Sequence, residues 1–256
     1  MKIRSILVFA FIFLVVVWNS GCRKFPGIDG NGSVITETRM SVSFNRIDNQ
    51  GNFNVYYVYD TVFRVVIEAE SNLVPHIRTV VSGNILRISS YENLNNNYVM
   101  KITVYAPVLE SIEVSGTGLF DASDIVTDRL LVHLSGSGSI YGSVTSGYYE
   151  AIISGSGDIN FEVNAVSTKA VISGSGGMKL FGVTPVAELI ISGSGNIESF
   201  GMPVATCNAR ISGSGNIFTT VSEFLDVSIS GSGNLYYRGD PVINSDLTGS
   251  GSPIKD

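Results

Sequence analysis

Four tyrosines stand in two adjacent pairs, Tyr148-Tyr149 and Tyr236-Tyr237, within segments that otherwise alternate apolar and polar residues. Neighbouring residues of a strand point to opposite faces, so each pair places one ring outward. An outward ring can stack on a sugar or anchor a protein partner; the alternative is that it shields a sheet edge or fills a gap. Tyr56, Tyr57 and Tyr59 add rings nearer the N-terminus. Carboxylates offer a second chemistry. Asp121, Asp124 and Asp128 lie close in sequence, and glycoside cleavage needs two carboxylates converging on one face. A third possibility is calcium at Gly-Ser-Gly-Asp158. The positions equivalent to Asp158 are Leu119, Ser139, Gly177, Asn196, Asn216, Asn234 and Ser252, and asparagine stacked on asparagine predicts a hydrogen-bond ladder rather than a metal site. His76 and His133 read as a turn residue and a solvated strand residue. Cys207 is in phase with Ala209 and Ile211, which predicts a buried, inert thiol. No catalytic group, metal or cofactor is expected.

The elements that position these residues are repeats. Ser-Gly-Thr-Gly begins at Ser115, Ser-Gly-Ser-Gly follows at Ser135, Ser154, Ser173, Ser192, Ser212 and Ser230, and Thr-Gly-Ser-Gly begins at Thr248. Successive spacings are 20, 19, 19, 19, 20, 18 and 18, and the eight motifs hold 16 of the 28 glycines. Directly before each motif stands an aliphatic residue: Val114, Leu134, Ile153, Ile172, Ile191, Ile211, Ile229 and Leu247. Two places earlier come Ile112, Val132, Ala151, Ala170, Leu189, Ala209, Val227 and Ser245. Such alternation turns one face to a core and the other to water. After the motif a second apolar residue recurs, from Phe120 and Ile140 to Leu235. Each unit therefore predicts at least two short strands joined through a glycine corner, where glycine allows positive φ and close approach. A unit of about 19 residues is too short for a helix pair and lacks leucine-rich spacing, and a propeller blade needs about 40 residues. It fits one coil of a single-stranded parallel β-helix, an all-β solenoid whose core exists only once coils stack. One outward column then reads Glu150, Lys169, Glu188, Asn208, Asp226, Asn244, which predicts pairing between neighbouring coils. Ile152, Val171 and Ile190 form an aliphatic strip in another.

Residues 34–106 lack the motif but are rich in β-branched and aromatic residues. They read as irregular opening coils or a cap, with regular repeats over 107–256; a separate small β domain ending near Pro107 is the alternative. The N-terminus is an address. Lys2 and Arg4 precede an apolar run from Ile6 to Trp18, too short for a permanent bilayer span of about 20 residues but suited to a secretory signal over 1–21. Ser20-Gly21-Cys22 resembles the lipobox of bacterial lipoproteins, which implies lipid on Cys22, membrane attachment through it, and a tether over 22–33. Arg23 and Lys24, where an aspartate would favour the inner membrane, point to the outer membrane. The full chain of 256 residues carries a formal charge of −6. Removing residues 1–21 takes away Lys2 and Arg4 and no acid, leaving 14 bases against 22 acids, a net of −8. That excess of acid excludes nucleic acid as a partner. Two cysteines exclude a disulfide framework.

Phe44-Asn-Arg-Ile47, Leu73-Val-Pro-His-Ile77, Gly83-Asn-Ile-Leu-Arg-Ile88 and Ala106-Pro-Val-Leu-Glu-Ser-Ile112, followed by the Ser-Gly-Ser-Gly ladder, resemble the head GIN domain family over about residues 33–251. The resemblance implies a right-handed parallel β-helix in an exported or lipid-anchored bacterial envelope protein of adhesin type, and it carries no catalytic residues to transfer. Taken together, these readings predict a non-catalytic outer-membrane lipoprotein that contacts glycan or protein ligands. The rivals are a polysaccharide-active enzyme, built on a carboxylate cluster such as Asp121, Asp124 and Asp128, and a periplasmic structural or sensing lipoprotein.

Overall fold

Every repeat pairs side by side with the next, residue for residue, because its inward aliphatic residues recur at nearly constant spacing. In the computed structural model, which describes residues 27–256, this yields a parallel β-solenoid of about eight turns set about 19 residues apart. The expected signal segment 1–21 and Cys22 lie outside the described residues.

The coil is smoother than two short strands and a corner. In five coils one bent strand runs nearly the whole circuit: Leu119–Leu134, Ser139–Ile153, Asp158–Ile172, Asn196–Ile211 and Ile217–Ile229. One coil is divided, into Gly177–Val183 and Val186–Ile191, because Gly182 takes a positive φ of 116° and Pro185 has no N–H for the ladder. The corner glycines serve only one of the two roles expected of them. No motif glycine has a positive φ; among the described residues Gly32, Gly83, Gly182 and Gly239 do. A Cβ on any motif glycine would instead fall within 3.0 Å of a backbone carbonyl oxygen in the coil beneath, as for Gly174 against Gly155. Glycine is required there by stacking distance alone.

The interior consists of columns running across the coils. Ile112, Val132, Ala151, Ala170, Leu189, Ala209 and Val227 form one, and Val114 to Ile229 form the next, all at most 1% exposed. A fully buried residue of this size contributes about 1.5–3 kcal/mol, and no coil gains it without a neighbour. The final coil shows this directly: Val242–Leu247 is exposed at every residue, so Ser245 and Leu247, which continue buried columns, lie open because nothing stacks on them. Asn-column bonds tie the coils further, from Asn216 N–H to Asn196 Oδ1 (2.8 Å), Asn234 N–H to Asn216 Oδ1 (2.8 Å) and Ser252 N–H to Asn234 Oδ1 (3.0 Å).

Residues before the first motif enter the same ladders. Arg46–Asn49 lies parallel and in register with Ser111–Val114 on one side and with Ile85–Ser89 on the other. Asn54–Tyr59 pairs with Lys101–Ala106 and touches the next coil at Val55 and Phe120. Antiparallel strands close this end: Val34–Met40 on Arg64–Glu70, Arg64–Glu70 on Lys101–Ala106, and Arg78–Ser82 on Ile85–Ser89. The expected tether is partly docked. Gly27–Asp29 pairs with Asn93–Asn95, and the buried Glu70 carboxylate accepts hydrogen bonds from Gly32 N–H (2.6 Å), Asn97 N–H (2.8 Å) and Asn97 Nδ2 (2.9 Å).

Candidate functional site

Three outward columns follow each corner, at the fourth, sixth and eighth residues after the motif serine. The fourth is the asparagine column with Gly177 in it. The sixth reads Asp121, Tyr141, Asn160, Lys179, Glu198, Phe218, Tyr236 and Ile254. The eighth holds Phe181 and Phe200. Strand periodicity puts all three on one face, and from Asn160 to Tyr236 this face changes from polar to aromatic.

The aromatic part is a row. Phe218 stacks on Tyr236, its in-register partner, with centroids 4.9 Å apart and planes 8° apart. Phe200 meets Phe218 edge-on at 5.6 Å, and the Arg238 guanidinium lies 4.0 Å over the Phe200 ring. The in-register partner of Phe218 is Glu198, so Phe200 reaches it diagonally, where the ladder shifts register after Ser199. At that irregularity the Ser199 hydroxyl donates to the Phe218 carbonyl (2.8 Å) and the Thr220 hydroxyl to the Phe200 carbonyl (3.0 Å), which keeps the backbone satisfied. Gly201 leaves room against Phe181. The result is a groove of about 300 Å³ lined by Leu180, Phe181, Phe200, Gly201 and Phe218, with Lys179 and Glu198 at its polar edge.

On the other side of Lys179 and Glu198 lies a polar notch of about 340 Å³, among whose lining residues are Tyr141, Asp158, Asn160, Gly177 and Asn196. The two depressions share these charged residues. Lys179 and Glu198 are in-register partners on neighbouring coils, yet neither makes an ion pair among the described residues. The opposite arrangement holds in the column from Glu150 to Asn244. There Lys169 Nζ lies 3.1 Å from Glu188, Arg129 3.3 Å from Glu150 and Arg210 3.7 Å from Glu188. Asn208 and Asn244 both donate to Asp226, at 3.3 and 2.7 Å. With Arg129 and Arg210 reaching in from flanking positions, the charges of that column are paired.

The tyrosine pairs separate as alternation requires. Tyr149 points inward: it is fully buried, stacked on Phe161 at 5.2 Å, and burial holds its hydroxyl well above the ordinary tyrosine range. It is therefore removed from the contact surface. Tyr148 points outward but is half-buried beneath Arg129, 4.9 Å from its ring, with its hydroxyl 3.3 Å from Glu150; burial, then the Glu150 charge, raise its pKa. Tyr237 continues the inward column of Thr219 and packs partly against the core. Tyr236 alone of the four joins the aromatic row, and Tyr148 lies on a different face. Phe181, Phe200 and Phe218 were not singled out in the sequence, because they fall in two columns and Phe200 meets Phe218 diagonally, beside a register shift.

Asp121, Asp124 and Asp128, the acids weighed for an enzyme, lie on the strand Leu119–Leu134. Asp124 is held at a bulge with φ 59°, its N–H bonded to Ser143 Oγ at 2.6 Å, and Asp121 lies along the strand before it. Among the described residues no three His, Cys, Asp or Glu side chains come together as metal ligands would. Cys207 is free and buried, and burial pushes its thiol up to about 12.

Residues 43–241 match the family model described as "Putative auto-transporter adhesin, head GIN domain". The chain belongs to this family. Membership places it among bacterial cell-envelope or surface proteins with a binding-type role. Solved structures share the fold. A Parabacteroides distasonis protein named "Putative lipid binding protein" is 26% identical, with a TM-score of 0.82 over 90% of this chain and 99% of that one. A "putative adhesin" from Parabacteroides merdae is 22% identical, with a TM-score of 0.84 over 90% and 98%. Another from Bacteroides fragilis is 26% identical, with a TM-score of 0.66 over 90% and 100%. A search of the curated proteins finds no match.

Proposed function

We propose that the chain is a non-catalytic binding module, held at the outer membrane by lipid on Cys22, which takes a glycan along the face formed by the three outward columns. The observation that carries this reading is the aromatic groove of Phe181, Phe200 and Phe218 beside an unpaired Lys179 and Glu198. Apolar ring edges and unspent hydrogen-bonding groups at adjacent positions match a sugar chain, whose rings have apolar faces and polar rims. Coils repeat every ~4.8 Å, close to the length of one pyranose unit, so successive sugars meet successive coils. Adhesin names in the family and among the solved relatives support a binding role of this kind.

The test is a printed array of neutral, amino and uronic-acid oligosaccharides probed with residues 27–256, beside the variants Phe200→Ala and Phe218→Ala. Retention of a glycan by the wild type and a loss of roughly tenfold or more in each variant are expected, since a central aromatic contact contributes about 1–2 kcal/mol. Retention of no glycan refutes the reading. A second reading, an acyl chain in the same groove, is favoured by the apolar rings of Phe181, Phe200 and Phe218; loss of fluorescent fatty-acid binding in the same variants tests it. Protease shaving of intact cells tests surface display.

A further inference from the structure

We infer that the notch at Gly177 is a subsite for one uncharged hexopyranose unit, an inference that rests on the glycan reading above. The argument begins with why position 177 is glycine. The motif glycines are forced, because each faces backbone of the coil beneath. Gly177 is not: its φ lies outside the left-handed region, and an added Cβ would meet only Asp158 Oδ1, at 2.8 Å, the movable end of a side chain. Asparagine, aspartate or serine occupies this column in six of the seven other coils, and asparagine there would continue the hydrogen-bond ladder. Glycine breaks the ladder and opens the notch.

What surrounds the opening is unspent. Asp158 Oδ1 accepts from Gly177 N–H at 2.9 Å, which leaves its second oxygen. Asn196 Oδ1 accepts from Asn216, which leaves the Asn196 amide nitrogen. Among the described residues, the side chains of Asn160, Lys179 and Glu198 and the Tyr141 hydroxyl have no hydrogen-bond or ion-pair partner. Of the four lysines among the described residues, Lys101, Lys169 and Lys255 are ion-paired and Lys179 is not. Carboxylate, amide and ammonium groups around one small volume can each bridge neighbouring hydroxyls, and Tyr141, 40% exposed, supplies a ring for the apolar face of a sugar. The volume of about 340 Å³ admits a pyranose with its hydroxyls, and the chain continues past Lys179 and Glu198 into the aromatic groove.

Charge narrows the class. Two carboxylates against one ammonium leave the notch net negative, which disfavours uronate, sulfate and phosphate groups. Lys179, on the coil between those of Asp158 and Glu198, disfavours a metal cation.

The experiment compares wild type with Gly177→Asn and Glu198→Gln on neutral and uronic-acid hexasaccharides by titration calorimetry, with Phe218→Ala as the reference for the groove. Gly177→Asn should weaken neutral-glycan binding at least tenfold while its thermal midpoint stays the same or rises, because the ladder is completed. Glu198→Gln, at an exposed position, should weaken it several-fold without touching the fold. Binding by Gly177→Asn equal to wild type, with loss in Phe218→Ala, overturns the notch and leaves the glycan reading standing. Preference of the wild type for uronic-acid chains also overturns it. Absence of any glycan binding by the wild type overturns both.

Discussion

Gly174 and Gly177 lie three residues apart on one coil, and the same substitution should be costly at the first and nearly neutral at the second. At Gly174 a methyl group meets three backbone atoms of the coil beneath: the Gly155 carbonyl oxygen, the Ser154 carbonyl oxygen at 2.8 Å and the Gly155 carbonyl carbon at 2.9 Å. None can move without parting two coils, whose Ser173 N–H to Ile153 O and Ser175 N–H to Gly155 O bonds measure 2.8 and 3.1 Å. Overpacking against backbone costs on the order of 3 kcal/mol. At Gly177 the methyl displaces a carboxylate oxygen. The weakened hydrogen bond costs about 1 kcal/mol, and the unfolded chain loses about 0.4–1 kcal/mol of conformational freedom in compensation, so the net is near zero. For a domain of this size 1 kcal/mol corresponds to about 2–4 °C. Gly174→Ala should therefore lower the thermal midpoint by roughly 6–12 °C, and Gly177→Ala by less than about 4 °C. Far-UV circular dichroism at the β band reads both. Equal shifts in the two variants would refute the claim that stacking distance, rather than a general need for glycine, fixes the corner residues.

Three further outcomes are expected. Tyr149→Phe removes a buried hydroxyl that has no hydrogen-bond partner and keeps the ring on Phe161; it should raise stability by about 1 kcal/mol, read as a higher urea midpoint, whereas Tyr149→Ala should cost about 3–5 kcal/mol. The Glu70 carboxyl is held below the ordinary range, chiefly by the Asn97 side-chain hydrogen bond, against an opposing effect of burial. Its contribution is therefore fully present above the unfolded value of about 4.3 and is lost as pH falls through the lower folded value; amide exchange around Gly32 and Asn97 should rise on acidification in the wild type, and Glu70→Gln should show a flatter dependence. Cys207, its thiol raised to about 12 by burial, should stay unmodified by iodoacetamide at pH 8 in folded residues 27–256 and react within minutes once unfolded in urea.

Position within the repeat decided what could be read in advance. The inward columns, the asparagine ladder, the buried Cys207 and the division of each tyrosine pair all follow from a two-residue period carried from coil to coil, so they were legible wherever the period holds. Of the two reasons expected for glycine at the corners, close approach holds and positive φ does not, because residue type cannot separate a glycine that needs positive φ from one that needs a close neighbour. Phe181, Phe200 and Phe218 stayed hidden because they sit in two columns and the Phe200–Phe218 contact crosses between them beside a register shift, and a shift is a property of two coils rather than of one. Gly177 looked like one more glycine in a chain of 28; only the space above Asp158 marks it as different. Leu247 shows the limit from the other side, since its column is right and its burial is not: a terminal coil has only one neighbour.

The irregular lengths of the coils carry a consequence for how such a protein can change. Spacings of 18, 19 and 20 residues coexist in one stack because bulges absorb the surplus, at Ala122/Ile125 and after Ser199, while the glycine corners keep every circuit in phase. Insertion or deletion of a whole circuit therefore disturbs only the two faces it separates. Ancestral duplication could lengthen the aromatic face in steps of one coil, and recombination between homologous circuits could transplant the Lys179–Glu198 boundary along the axis, without redesigning a core.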